Sequence, residues 1–328
     1  MVEGVSETAE SVPSTGPVEV SPKAPAKVLR MPACRPDGSD GDAVTAVLRK
    51  IQSVRKRPLF AFVSKFVVDD TLEEVHSWKR ELRDVGKNGL DILIDSPGGS
   101  LTSCYMIARL LARWTDSWEA LIPTTAASGA TLISLGSSKI VMSELAQLGP
   151  IDPQVISKRR EKFFAAERQS PLEAFQAVQY LRELSLGSLD ACMRFLLDPD
   201  RGGVAPHRAL ESANRFGVEL MKPIFEKVDP YDLGAFALDS NLALSYCDRI
   251  ASPANTAKQT QRAVKTRDLV ERYPAHEFAI DIAEARALGF EVSEPSVELD
   301  DLFDELRKQL VDVEAYIGLV SDVQEKSA

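Results

Sequence analysis

Histidine and cysteine are scarce in this chain, with three and four residues respectively among 328. Cys34, Cys104, Cys192 and Cys247 form no CxxC pair and no Cys/His cluster, so neither a metal nor another cofactor is expected. Cysteines spaced singly suit a reducing cytoplasm, where they act as small apolar residues. Positive charge is in deficit: 39 Lys and Arg against 49 Asp and Glu give a net charge of −10 and a pI near 5.0. That balance argues against nucleic acid or an anionic membrane surface as a partner. The short basic runs Arg49-Lys50, Arg55-Lys56-Arg57 and Lys158-Arg159-Arg160 read as solvated faces or helix ends. No apolar run approaches the roughly eighteen residues of a membrane span. Large apolar side chains are sparse over residues 1–42, which lack a hydrophobic signal core and read as a disordered tail.

The rest has the composition of an ordinary globular protein, 44% apolar and 27% charged. Val44, Val47, Leu48 and Ile51 share one face of a predicted helix over 42–55. Residues 59–63, 90–94, 118–122 and 139–142 read as strands, with helices predicted over 72–82, after Ser100 and after Ser128. Strand followed by helix, repeated, implies right-handed crossovers and a mostly parallel sheet. Beyond Gln154 the pattern is mainly helical, with a short strand predicted at 277–280 and a helix over 282–288 stopped by Gly289. A final helix over 297–320 carries Leu299, Leu302, Phe303, Leu306, Leu310, Val313 and Ile317 on one face. The expected organisation is a tail over 1–42, one α/β domain over 43–292 and a C-terminal amphipathic helix over 293–328.

Two strand-to-helix turns carry the chemistry. In Ser96-Pro97-Gly98-Gly99-Ser100 the glycines permit positive φ and a close backbone approach to a ligand. About thirty residues later, Ala126-Ala127-Ser128-Gly129-Ala130 sets one uncrowded serine at a helix start. Each has a bland reading, a tight turn and a helix cap. Together they offer a nucleophile and backbone donors for an oxyanion.

These residues resemble the Clp-fold serine peptidases, and above all the serine dehydrogenase proteinase family. The resemblance lies in Ser96-Pro97-Gly98-Gly99, Ser128-Gly129-Ala130-Thr131-Leu132-Ile133 and Leu148-Gly149-Pro150-Ile151-Asp152-Pro153-Gln154. It implies a ClpP/crotonase-like spiral of βα units with a helical C-terminal part. It also implies Ser128 as nucleophile, with an oxyanion hole from Gly98 or Gly99 and Gly129. The chain departs from the Clp protease subunit at the general base, because Ile151 stands where that relative keeps its histidine. Lys158 and His276 are the candidate bases, the first by analogy with the signal peptide peptidase A type.

The expected function is therefore a soluble, cytoplasmic, homo-oligomeric serine peptidase acting on a peptide or protein. Two alternatives stay open. One is a Clp-fold protein used for binding or assembly, favoured by the missing histidine. The other is a crotonase-type enzyme acting on an acyl-CoA, which needs the two N–H donors but no serine.

Overall fold

A computed structural model describes residues 43–151, 155–156, 168–169, 171–201, 203–226, 230–252, 264–311 and 313–320. Its strands are β1 (Leu59–Ser64), β2 (Leu90–Asp95), β3 (Trp118–Ile122), β4 (Thr125–Ala126), β5 (Lys139–Met142), β6 (Gln147–Leu148), β7 (Val155–Ile156), β8 (Arg168–Gln169), β9 (Val292–Ser293) and β10 (Ala315–Leu319). Its helices are α1 (Ala43–Arg55), α2 (Asp69–Ser77), α3 (Lys79–Val85), α4 (Leu101–Trp114), α5 (Gly129–Leu135), α6 (Pro171–Leu197), α7 (Pro206–Phe225), α8 (Pro230–Ala251), α9 (Thr266–Glu271), α10 (Ile282–Ala287) and α11 (Val297–Leu310).

The main sheet has the order β10-β1-β2-β3-β5-β9, and every pairing except β10 with β1 is parallel. Both faces of such a sheet must be covered, which explains why all six residues of β1 are buried. Alternate residues divide between two cores. Phe60, Phe62, Ile92, Ile94, Trp118 and Met142 pack with α4 and α5 on one side. Leu59, Ala61, Val63, Leu93 and Leu121 pack with α1 and α11 on the other.

A second, smaller layer begins where the parallel strands end. β4 pairs with β6 in parallel, Ser96 bridges Ala126, and Leu148 bridges Ile280 antiparallel. Both chemically marked turns therefore belong to one laced unit at the carboxyl ends of β2 and β3. In open α/β sheets that edge is where ligands bind.

The expected α/β class, the mostly parallel sheet and the helical later part are all found. Three local expectations are not. The helix over 72–82 starts earlier, at Asp69, and breaks at Trp78 into α2 and α3. The strand over 277–280 reduces to the single bridge of Ile280 to Leu148. The final helix stops at Leu310, and residues 315–319 form edge strand β10, because Ile317 pairs opposite Phe62 of β1 and is buried there. The apolar stripe of α11 packs on α1 within the same chain.

The basic run at Arg55 to Arg57 follows the helix-end alternative rather than the solvated face, since Arg55 closes α1. Asp91 and Glu119 are opposite neighbours in the β2–β3 register, and Asp91 is fully buried. Arg55 donates to Asp91 at 2.6 Å and to Glu119 at 2.8 Å, while Arg57 pairs with both carboxylates. The two guanidinium groups offset a like-charge contact across the strands. Lys158, Arg159 and Arg160 lie outside the described residues, as does the expected tail over 1–42.

Candidate active site

The Gly98–Gly99 turn is fixed by its neighbours before any ligand arrives. Val67 N–H donates to Gly98 C=O at 2.8 Å, and Ser100 N–H donates to Val67 C=O at 2.7 Å. This bridge uses the groups on either side of Gly99 and leaves the Gly99 N–H out of it. The Gly98 N–H is committed elsewhere, donating to Ser96 Oγ at 3.1 Å. Gly98 has φ +98°, and a Cβ there would stand 2.8 Å from the Gly129 nitrogen and 3.1 Å from Ser128 Cβ. The two turns are thus in van der Waals contact. Of the two glycines expected to donate, Gly99 is the one whose N–H has no partner among the described residues.

Ser128 has φ +50° and ψ −118°, in a region that side-chain-bearing residues rarely occupy. It stands at the N-cap position of α5, yet its side chain caps nothing. Ser100, by contrast, caps α4 by accepting Ser103 N–H at 3.3 Å. The capping explanation therefore holds for Ser100 and fails for Ser128. A serine held at a strained strand-to-helix turn, 7% exposed, is the arrangement that presents a nucleophilic hydroxyl. Gly129 opens α5, where N–H groups have no partner within the helix. The Gly99 nitrogen lies 3.7 Å from where a Cβ on Gly129 would stand. Two N–H groups thus flank one serine.

Cys104 packs against this turn, since a Cβ on Gly129 would run into its Sγ. It is no rival nucleophile, because burial pushes its thiol up to about 12.

Among the described residues, no side chain hydrogen-bonds the Ser128 hydroxyl. His276, half-buried, sits in a turn four residues before Ile280 and is not joined to Ser128 by a hydrogen bond. Lys158 and Asp152 lie outside the described residues. Ile151 is buried, with its N–H on Leu269 C=O at 2.8 Å. Asp281 caps α10 by accepting Glu284 N–H at 2.8 Å, which accounts for its carboxylate. His76 is exposed and 5.7 Å from the Trp114 ring, and His207 lies in the first turn of α7.

Asp95, at the end of β2, accepts Thr125 N–H at 3.2 Å. Burial raises its pKa to about 6, against the opposing pull of that hydrogen bond and of Arg307. A carboxyl whose folded pKa is raised stabilises the fold below its unfolded value. That contribution is lost as pH rises through about 6. Asp95→Asn keeps the acceptor for Thr125 and removes the buried charge. Urea denaturation should show the variant about 1–2 kcal/mol more stable than the wild type at pH 7.5 and no different at pH 3.5.

Residues 44–174 match the profile of the family described as ClpP-like SDH-type serine proteinases. Two uncharacterized proteins of Methanocaldococcus jannaschii are similar, at 37% identity over 94 residues and 30% over 98 residues. These matches cover 28% and 30% of this chain. They span about a third of each relative, 32% of its length in both cases. Among solved structures, a mutant of 1510-N membrane-bound stomatin-specific protease in complex with a substrate peptide aligns over 77% of this chain and 80% of its own. That alignment has 13% identity and a TM-score of 0.40. The ClpP protease catalytic domain from Plasmodium falciparum aligns over 30% of this chain and 57% of its own, at 21% identity and a TM-score of 0.25. Both marked turns and Ser128 fall inside residues 44–174, and it is this segment that matches the ClpP-like SDH-type serine proteinases.

Proposed function

We propose that the chain is a serine peptidase in which the Ser128 hydroxyl attacks a peptide carbonyl. The Gly99 and Gly129 N–H groups stabilise the developing oxyanion, the amine leaves, and water hydrolyses the acyl-enzyme. One observation carries the reading above the others. Ser128 is a non-glycine residue at positive φ on a helix start, its side chain making no cap, with the Gly99 and Gly129 nitrogens close by. The profile match to serine proteinases supports the same class.

Lys158 and His276 are the candidate bases, and catalytic hydrogen bonds often tighten only when substrate is bound. A peptide or protein is the proposed substrate, and a homo-oligomer in the cytoplasm the proposed form. A monomer by sedimentation, at concentrations where the protein hydrolyses peptides, would remove the oligomer.

A fluorophosphonate probe tests the class directly. Wild-type protein should be labelled, and Ser128→Ala should not. Absence of labelling in folded wild type would favour the binding or assembly reading. Saturable binding of an acyl-CoA instead would favour the crotonase type. Labelling that survives in Ser128→Ala means the nucleophile is another residue.

A further inference from the structure

Thr131 lies on α5 three residues beyond Ser128 and is completely buried. A buried hydroxyl within a helix ordinarily turns back to the carbonyl four residues earlier, as Ser134 does to Ala130 at 2.9 Å. Thr131 does otherwise. Its Oγ1 lies 2.7 Å from Ala126 C=O and 2.8 Å from Gly149 C=O, sharing one proton, and accepts Gly149 N–H at 3.1 Å. One atom therefore ties the end of β4, the start of α5 and the residue after β6. Gly149 is pressed onto the same turn: a Cβ on it would stand 2.8 Å from Ala127 Cβ and 3.4 Å from the Ser128 nitrogen.

We infer that Thr131 is a positioning residue whose hydroxyl holds the Ser128 turn and Gly149 in one fixed arrangement and thereby sets the reactivity of Ser128. A positive φ on serine persists only where the surroundings over-determine it. Two features meet that need here, the close packing of Gly98 and Gly149 and the three-way bond of Thr131. Packing limits how near the segments come. The hydroxyl limits how far they part. The claim about reactivity rests on Ser128 being the nucleophile, whereas the claim about holding Gly149 does not.

Thr131→Val keeps the shape and deletes the hydroxyl; Thr131→Ser keeps the hydroxyl. Hydrogen exchange on the full chain reads the first claim. In Thr131→Val the Gly149 amide should exchange about tenfold faster or more, with β1 and β2 protected as in wild type. The second claim is read by the fluorophosphonate labelling rate and by peptide hydrolysis. The rate should fall about 10–100-fold with KM within about threefold, because a small displacement of the nucleophile costs rate more than affinity. Thr131→Ser should restore most of both. If Thr131→Val does not fold, Thr131→Ala against Thr131→Ser gives the same comparison. A Gly149 amide that exchanges as in wild type, or a valine variant that reacts at the wild-type rate, overturns the inference. Should wild-type Ser128 fail to label, or Ser128→Ala still label, the nucleophile reading fails separately, and the Gly149 exchange still decides whether Thr131 holds the turn.

Discussion

Ser128→Gly is expected to yield a protein that is more stable than wild type and inert. Glycine takes φ +50° with ψ −118° without the steric penalty that serine bears there. Relief of one strained residue is of order 1–3 kcal/mol. The extra freedom of glycine in the unfolded chain offsets part of that, about 0.5–1 kcal/mol. Nothing is lost in hydrogen bonding, because the Ser128 side chain caps nothing. A net gain of about 1 kcal/mol in urea denaturation is the expected result. Peptide hydrolysis should meanwhile fall by roughly 10³-fold or more, since removing a nucleophile leaves only binding and the oxyanion donors. A serine kept for structure behaves in the opposite way, as Ser100 should: it loses stability when its cap is removed and has no activity to lose. Ser128→Gly that is less stable than wild type, or that still turns over peptide, contradicts the assignment.

How legible the site is depends on which residues had to be of one type. Gly98 and Ser128 stand out because backbone conformation limits what can occupy a tight turn, and that limit acts locally. Asp91 is read from sequence only as an interruption in an apolar strand. Its partners Arg55 and Arg57 lie about 35 residues earlier and look like a solvated run. The end of the chain misleads for a different reason. Val313 and Ile317 continue the helical spacing of Leu306 and Leu310, while β10 is buried on both faces and so shows no alternation. Tyr316 packs into one core and Ile317 into the other. A fully buried short strand and a helix turn look alike at that length. Thr131 is illegible as a positioning residue because Gly149, its partner, becomes a neighbour only through the β4–β6 pairing. The base is a harder case, since among the described residues none hydrogen-bonds Ser128 and the sequence marks none by its surroundings.

Gly98→Ala is expected to damage both fold and activity while deleting no catalytic atom. The new Cβ would meet Ala127 C=O at 2.7 Å, the Gly129 nitrogen at 2.8 Å and Ser128 Cβ at 3.1 Å. Two of these are backbone atoms of the nucleophile turn, so no flexible side chain can swing aside. The alanine would also have to hold φ +98°. Backbone strain and overpacking together are expected to destabilise by about 2–4 kcal/mol. The larger effect is on chemistry. Relief of the clash separates the two turns, which moves the Gly129 donor relative to Gly99. Loss of one oxyanion donor typically lowers kcat by about 10²–10³-fold. The expected result is a folded protein with kcat reduced by that factor and probe labelling slowed in parallel. Gly187→Ala is the matched control. Gly187 lies within α6 with nothing within 4 Å of a new Cβ. That change should stabilise by about 0.5–1 kcal/mol through helix propensity and leave kcat unchanged. If Gly98→Ala is stable and fully active, the two turns do not form the oxyanion site, whatever Ser128 does.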